Sequence, residues 1–172
     1  MGDEHVEFIE GISKGPIIFQ GLMVLMCAIF VIMLLSKKVN DITQWLLVAS
    51  ILALIQNAGY LLLLQSKNLN EASIALKTEY FGVAYISTVF MFFVLAYCNK
   101  KLPMAIKVLL IAIDTSMILG VWLWEYTDIY YISVEHRIVN GTVKIVLGRG
   151  ILYYTGMCKM LLELLAGEVI SI

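Results

Sequence analysis

Long apolar stretches, separated by short polar segments, predict a bundle of membrane-spanning helices. Four of the stretches are close to the roughly 20 apolar residues that a helix needs to cross the hydrocarbon core of a bilayer. They run over about 17–35, 45–64, 80–97 and 104–124. A shorter window at 151–166 predicts part of a fifth span. The pattern therefore predicts an all-α polytopic membrane bundle, with residues 1–172 as a single partial membrane domain.

The polar segment between the fourth and fifth stretches predicts a β-hairpin over about 131–147. Two β-rich runs flank Asn140-Gly141, a pair that favours a two-residue hairpin turn because both positions need φ > 0. Pairing outward from this turn gives the register Ile138–Val143, His136–Ile145 and Val134–Leu147. One face is then mostly apolar. Because a lone two-stranded ribbon is only marginally stable in water, we expect that face to lie on the ends of the helices.

Composition supports a membrane protein and excludes several other classes. The hydrophobic fraction is 61% and the mean hydropathy is +0.90, both above the values typical of soluble domains. The net charge of −1 gives no basic field for nucleic acid. Cys27, Cys98 and Cys158 form no CxxC pair and are interpreted as packing thiols. No catalytic, nucleotide-binding or metal-binding motif is present, so we expect neither an enzyme nor a cofactor.

Charge in the short loops predicts the orientation of the bundle. Lys37-Lys38 and Lys100-Lys101 lie in the first and third loops, on the same side of the membrane. Basic residues in short loops favour the cytoplasm. The N-terminus and the hairpin are therefore predicted to be extracytoplasmic.

Polar residues inside the apolar stretches are the candidate functional residues, since a charge at the centre of a span costs roughly 2.5–3.5 kcal/mol on insertion scales. Asp114 lies in the middle of the fourth stretch, about 10 Å from Lys107 along the helix axis, so we expect its partner on another helix. For Asp114 a functional site and a structural hydrogen bond remain equal alternatives. For Gln56 and Asn57 we favour interhelical hydrogen bonds.

Further candidates lie toward the predicted outer side. Glu79 opens the third stretch, near enough to the membrane edge to reach water. His136 is able to titrate near neutral pH and so to act as a ligand or pH sensor. The alternative interpretation, favoured for a histidine on an apolar strand face, is a packing role.

The order of several short motifs carries a family resemblance. The second stretch ends in Asn57-Ala58-Gly59-Tyr60, the third opens with Glu79-Tyr80-Phe81-Gly82, and Gly150-Ile151-Leu152-Tyr153 leads into the fifth. An aromatic loop and the hairpin precede that last motif. With this spacing, residues 17–166 resemble the N-terminal seven-transmembrane-helix sensor region of bacterial membrane histidine kinases, with a truncation expected in helix five.

The resemblance implies a membrane-embedded sensory input module in the bacterial cytoplasmic membrane. It would detect an unknown extracytoplasmic or intramembrane ligand and relay the signal to a cytoplasmic output domain of the same polypeptide, which is expected to be a histidine kinase. A diguanylate cyclase is the alternative output, and a homodimer is expected. The candidate ligand-binding or signalling residues are Glu79, Tyr80, Asp114, Tyr130, His136 and Arg137.

Two rival functions are compatible with the same pattern. In a small transporter or channel subunit, Asp114, Asn57 and Gln56 would line a path through the bilayer. No internal repeat is visible, and Pro16 and Pro103 lie at span edges rather than inside broken helices, so this function is less favoured. The third possibility is a truncated remnant that inserts in the membrane without signalling.

Overall fold

The computed structural model describes the backbone of residues 3–38, 40–139 and 142–171, and the side chains of 14–38, 40–133 and 147–167. The described part contains five helices and one hairpin. The elements are α1 (Asp3–Leu35), α2 (Asp41–Gln65), α3 (Leu69–Tyr97), α4 (Met104–Trp122), β1 (Tyr131–Val139), β2 (Thr142–Arg149) and α5 (Ile151–Ser171).

Four helical segments are long and apolar enough to cross a membrane. They are Lys14–Leu35, Asp41–Gln65, Leu69–Tyr97 and Met104–Trp122. Together with α5 and the two-stranded antiparallel sheet, they confirm the predicted fold class of a multi-pass membrane bundle with a β-hairpin.

Helix boundaries differ from the apolar windows at several points. α3 begins at Leu69 rather than near residue 80, so only a short turn separates it from the end of α2 at Gln65. α4 ends at Trp122, and α5 continues beyond residue 166 to Ser171. The first turns of α3 were missed because they carry polar residues at intervals, and an apolar window does not detect an amphipathic helix end.

A local cap accounts for the early start of α3. The Asn68 side-chain oxygen accepts a hydrogen bond from the Glu71 backbone N–H at 2.9 Å. The Glu71 carboxylate accepts in return from the Lys67 backbone N–H and the Asn68 side-chain amide, both at 2.8 Å. This reciprocal arrangement provides partners for groups that a helix end otherwise leaves without any.

Replacing this cap gives the first prediction. Asn68→Ala is expected to lower the free energy of unfolding by about 1 kcal/mol, because the first turn loses its side-chain acceptor. Thermal unfolding in detergent followed by circular dichroism measures the change. Asn70→Ala, an exposed change two residues further on, is the control; an equal loss in both variants would contradict the capping role.

Two glycines bring α2 and α3 into close contact, the most extensive between any two helices here. A Cβ added at Gly82 would lie 2.4 Å from the Leu52 carbonyl oxygen, and one at Gly59 would lie 2.3 Å from the Glu79 backbone nitrogen. Neither position has room for a side chain. The small residues therefore set the distance between these two helices.

α3 is the central helix, with contacts to α2, α4, α5 and β1. The hairpin defines one end of the bundle, called here the hairpin side. A core cluster lies there, made of Leu76, Met117, Val121, Tyr130 and Tyr131. A second cluster, at the opposite end of α3, contains Met91, Phe92 and Leu95.

The hairpin has the predicted register. Ile138 pairs with Val143, His136 with Ile145 and Val134 with Leu147. The predicted turn at Asn140-Gly141 lies outside the described residues. β1 contacts α3 and β2 contacts α2, so the ribbon lies against the helices as expected.

The base of the hairpin is tightly joined to α5. The Gly150 backbone N–H donates to the Tyr130 carbonyl oxygen at 2.8 Å, and that of Leu152 donates to the Ile129 carbonyl oxygen at 3.0 Å. A Cβ on Gly150 would lie 2.3 Å from the Ile129 carbonyl oxygen. Only a glycine fits this close approach.

Candidate functional site

A cavity of about 220 Å³ lies between α3 and α5 and is called here the α3–α5 cavity. Glu79 and Tyr80 line it toward the hairpin side, and Ser87 lines it about 12 Å further along α3. The remaining lining residues are Val83, Ala84, Met117, Tyr130, Tyr153, Gly156, Met157, Lys159 and Met160.

Tyrosine rings form the hairpin side of this cavity. The Tyr130 ring centroid lies 5.5 Å from that of Tyr80 and 5.9 Å from that of Tyr153, both in edge-to-face geometry. Such pairs add a modest stabilisation beyond the area they bury. Arg149 covers the Tyr153 ring, with its guanidinium carbon 4.8 Å from the centroid. The packed tyrosine rings therefore form an aromatic wall on this side of the cavity.

Tyr131 lies behind this wall and is fully buried. Its hydroxyl forms no hydrogen bond with any described residue, and the Tyr80 ring lies 5.8 Å from its own ring in edge-to-face geometry. Burial raises the pKa of the Tyr130 and Tyr131 phenols above their ordinary value. Both hydroxyls therefore stay neutral at physiological pH.

Glu79 is the acidic group of the cavity. Its side chain is half-buried, and it forms no hydrogen bond or ion pair with the described residues. The contact of Gly59 with its backbone fixes where the carboxylate enters the cavity. A carboxylate without a partner in an apolar, aromatic cavity is available to a ligand.

At the deeper end, Lys159 joins the cavity to a group of buried side chains, called here the polar cluster: Ser87 and Thr88 of α3, Asp114 of α4, and Lys159 and Glu163 of α5. Asp114 and Thr88 have no exposed surface, and Glu163 is 5% exposed. The cluster therefore ties three helices together in the interior of the bundle.

Lys159 is the centre of the polar cluster. Its ammonium group donates hydrogen bonds to the Asp114 carboxylate and, at 2.6 Å, to the Thr88 hydroxyl. It also lies 3.0 Å from the Glu163 carboxylate, with which it forms an ion pair. Lys159 and Glu163 are four residues apart, which places them on one face of α5.

A Cβ on Gly156 would lie 3.0 Å from the Met117 sulfur, so this glycine allows α4 and α5 to approach.

The structure brings together some of the predicted site residues. Glu79, Tyr80 and Tyr130 line one cavity, and Asp114 is connected to it through Lys159. The expected partner of Asp114 on another helix is thus confirmed. The remaining two candidates are His136 and Arg137, whose side chains the structure does not describe. Their functional role stays a prediction.

The intramembrane amides lie elsewhere. The Gln20 side-chain amide of α1 donates to the Asn57 side-chain oxygen at 2.8 Å, which confirms the expected interhelical hydrogen bond. Gln56 packs its Cβ against Gly82, and its side-chain amide forms no hydrogen bond within the described residues. These amides do not line the α3–α5 cavity.

The sequence analysis did not identify Lys159, Glu163 or Thr88 as site residues. A usable signal was present, because a carboxylate inside a span requires a compensating charge. Lys159 lies inside the fifth apolar window with Glu163 one turn later, whereas Lys107 lies near a span end.

Among the described residues, no group of three or more His, Cys, Asp or Glu side chains could hold a metal ion.

Comparison with known protein families agrees with a polytopic membrane bundle. Residues 17–172 match the family described as the N-terminal 7TM region of histidine kinase. The chain belongs to this family of membrane sensor regions. No curated protein and no solved structure matches the chain.

Proposed function

We propose that the chain detects a stimulus in the α3–α5 cavity and relays it through α5 to a histidine kinase domain of the same polypeptide. The observation that carries this proposal is the position of Lys159. It lines the cavity and also binds Asp114 and Thr88, so the occupant of the cavity and the packing of α5 share one side chain.

A relay mechanism follows from the double role of Lys159, which lines the cavity and also holds α5 in place. A ligand that contacts Glu79 or the tyrosine wall changes the surroundings of Lys159, and Lys159 fixes α5 against α3 and α4. Two packings of α5 would then differ in their affinity for the ligand, and this difference limits how far the ligand shifts the balance. The hairpin side is extracytoplasmic in this proposal, as the Lys37-Lys38 and Lys100-Lys101 pairs predict.

Autophosphorylation of the parent kinase in membrane vesicles tests the proposal. Asp114→Asn, Asp114→Leu and Glu79→Gln are expected to change the phosphorylated fraction about fivefold or more, the lower end of typical coupling between two sites. Glu79→Gln removes the free acid of the cavity, whereas the two Asp114 variants remove the anchor of Lys159.

Glu125→Gln is the matched control for this experiment. Glu125 is also an acid on the hairpin side, but it pairs with Lys77 at 3.1 Å and does not line the cavity. It should leave autophosphorylation close to the wild-type level. Unchanged insertion and signalling in both Asp114 variants would refute a signalling role for the polar cluster.

A further inference from the structure

We infer that the polar cluster binds one exchangeable proton, shared by the carboxyl groups of Asp114 and Glu163 through the hydroxyl of Thr88. This inference concerns the occupancy of hydrogen-bond positions inside the bundle. It does not depend on the chain acting as a sensor.

The Lys159 ammonium group contacts three other groups of the cluster. An ammonium group has three N–H donors and no acceptor. Its three partners are Asp114, Thr88 and Glu163. Two of the donors go to Asp114 and Thr88, and the ammonium group faces Glu163 as an ion pair at 3.0 Å, so Lys159 supplies no proton between the Thr88 hydroxyl and either carboxyl group.

Thr88 lies between the two carboxyl groups of the cluster. Its Oγ1 lies 2.6 Å from Asp114 Oδ2 and 2.8 Å from Glu163 Oε1, both normal distances for an O–H···O hydrogen bond. Each bond needs a proton, but a hydroxyl has only one to donate. If both carboxyl groups were ionised, one of these short contacts would join two acceptors without a proton.

One added proton satisfies every position. With the proton on Asp114 Oδ2, Asp114 donates to Thr88, and the Thr88 hydroxyl donates to Glu163. With the proton on Glu163 Oε1, the direction reverses and Thr88 donates to Asp114. The two arrangements interconvert when one O–H proton moves onto Thr88 while the Thr88 proton moves to the other carboxyl group, so atoms and charge balance.

The charges of the polar cluster also require one added proton. The cluster contains one cation and two acids, so full ionisation would leave an excess negative charge among groups that are buried. One proton makes the cluster neutral, which avoids the cost of an uncompensated charge inside the bundle. The other described titratable groups of the cavity are Glu79 and the phenols of Tyr80, Tyr130 and Tyr153, all toward the hairpin side.

Infrared spectroscopy of the chain in lipid vesicles tests the inference directly. At neutral pH the wild-type protein is expected to show the carbonyl band of a protonated carboxylic acid, which shifts in deuterium oxide. In a Glu79→Gln background, which removes the unpaired acid of the cavity, Asp114→Asn and Glu163→Gln should each abolish the band, because the single remaining carboxylate of the cluster pairs with Lys159. Glu79→Gln is the control and should leave the band in place.

Isotope labelling keeps the test independent of variant folding. Carboxyl ¹³C in aspartate, and separately in glutamate, should each shift part of the band both in the wild-type chain and in Glu79→Gln, because both carboxyl groups of the cluster hold the proton for part of the time. In Thr88→Val, which lacks the bridging hydroxyl, only one of the two labels should shift it. Absence of the band, its loss only in Glu79→Gln, or a shift with only one label in the wild-type chain would overturn the inference.

Discussion

Lys159→Met is expected to lower the free energy of unfolding of the bundle by about 3–5 kcal/mol, the usual consequence of removing one partner of a buried ion pair. The variant keeps the volume of the side chain but removes the single cation of the polar cluster. Asp114 and Glu163 then face each other with only hydroxyl donors. The loss is measured by unfolding in mixed micelles with increasing denaturing detergent, followed by circular dichroism.

Lys67→Met is the matched control for this change. Lys67 is exposed in the turn before α3, so the same substitution there removes a solvated charge and should alter stability by less than about 0.5 kcal/mol. Similar losses in the two variants would show that general charge, rather than the buried cluster, determines the effect. Restoration of stability in Lys159→Met when both Asp114→Asn and Glu163→Gln are added would identify the lost charge compensation as its cause.

Gly82→Ala is expected to destabilise the bundle by about 3 kcal/mol, at the upper end of the cost of overpacking. Its added methyl group would meet the Leu52 carbonyl oxygen at 2.4 Å, and a backbone atom cannot move aside as a flexible side chain does. α2 and α3 must therefore separate. The same unfolding assay measures the loss.

Gly21→Ala in α1 is the control, because a Cβ there meets no atom within 4 Å. An alanine in a helix is favoured over glycine by up to about 1 kcal/mol, so this control should be neutral or slightly stabilising. If Gly82→Ala behaved in the same way, α2 and α3 would not be held at the distance that the structure shows.

The sequence alone predicted the architecture well, because length and hydrophobicity directly report a membrane span. The hairpin register followed from two facts, a two-residue turn and the period of two along a strand. The start of α3 did not follow, since Asn68 and Glu71 act by capping, a local hydrogen-bond pattern that an apolar window does not measure.

The candidate site was only partly predictable. Asp114 stood out because it is an isolated charge in an apolar run, and Glu79 because it opens one; neither signal needs knowledge of packing. The connection between them did not appear, because it depends on which helix faces which. Thr88 gives no signal at all in the sequence: a threonine in a span is ordinary until two carboxyl groups are placed beside it.

The one-residue connection between β2 and α5 has a mechanical consequence. β2 ends at Arg149 and α5 begins at Ile151, with Gly150 pinned between them by the Tyr130 carbonyl. The strands extend roughly 25 Å from this joint. Because one residue joins the two elements, the base of the hairpin and the first turn of α5 cannot change their positions independently.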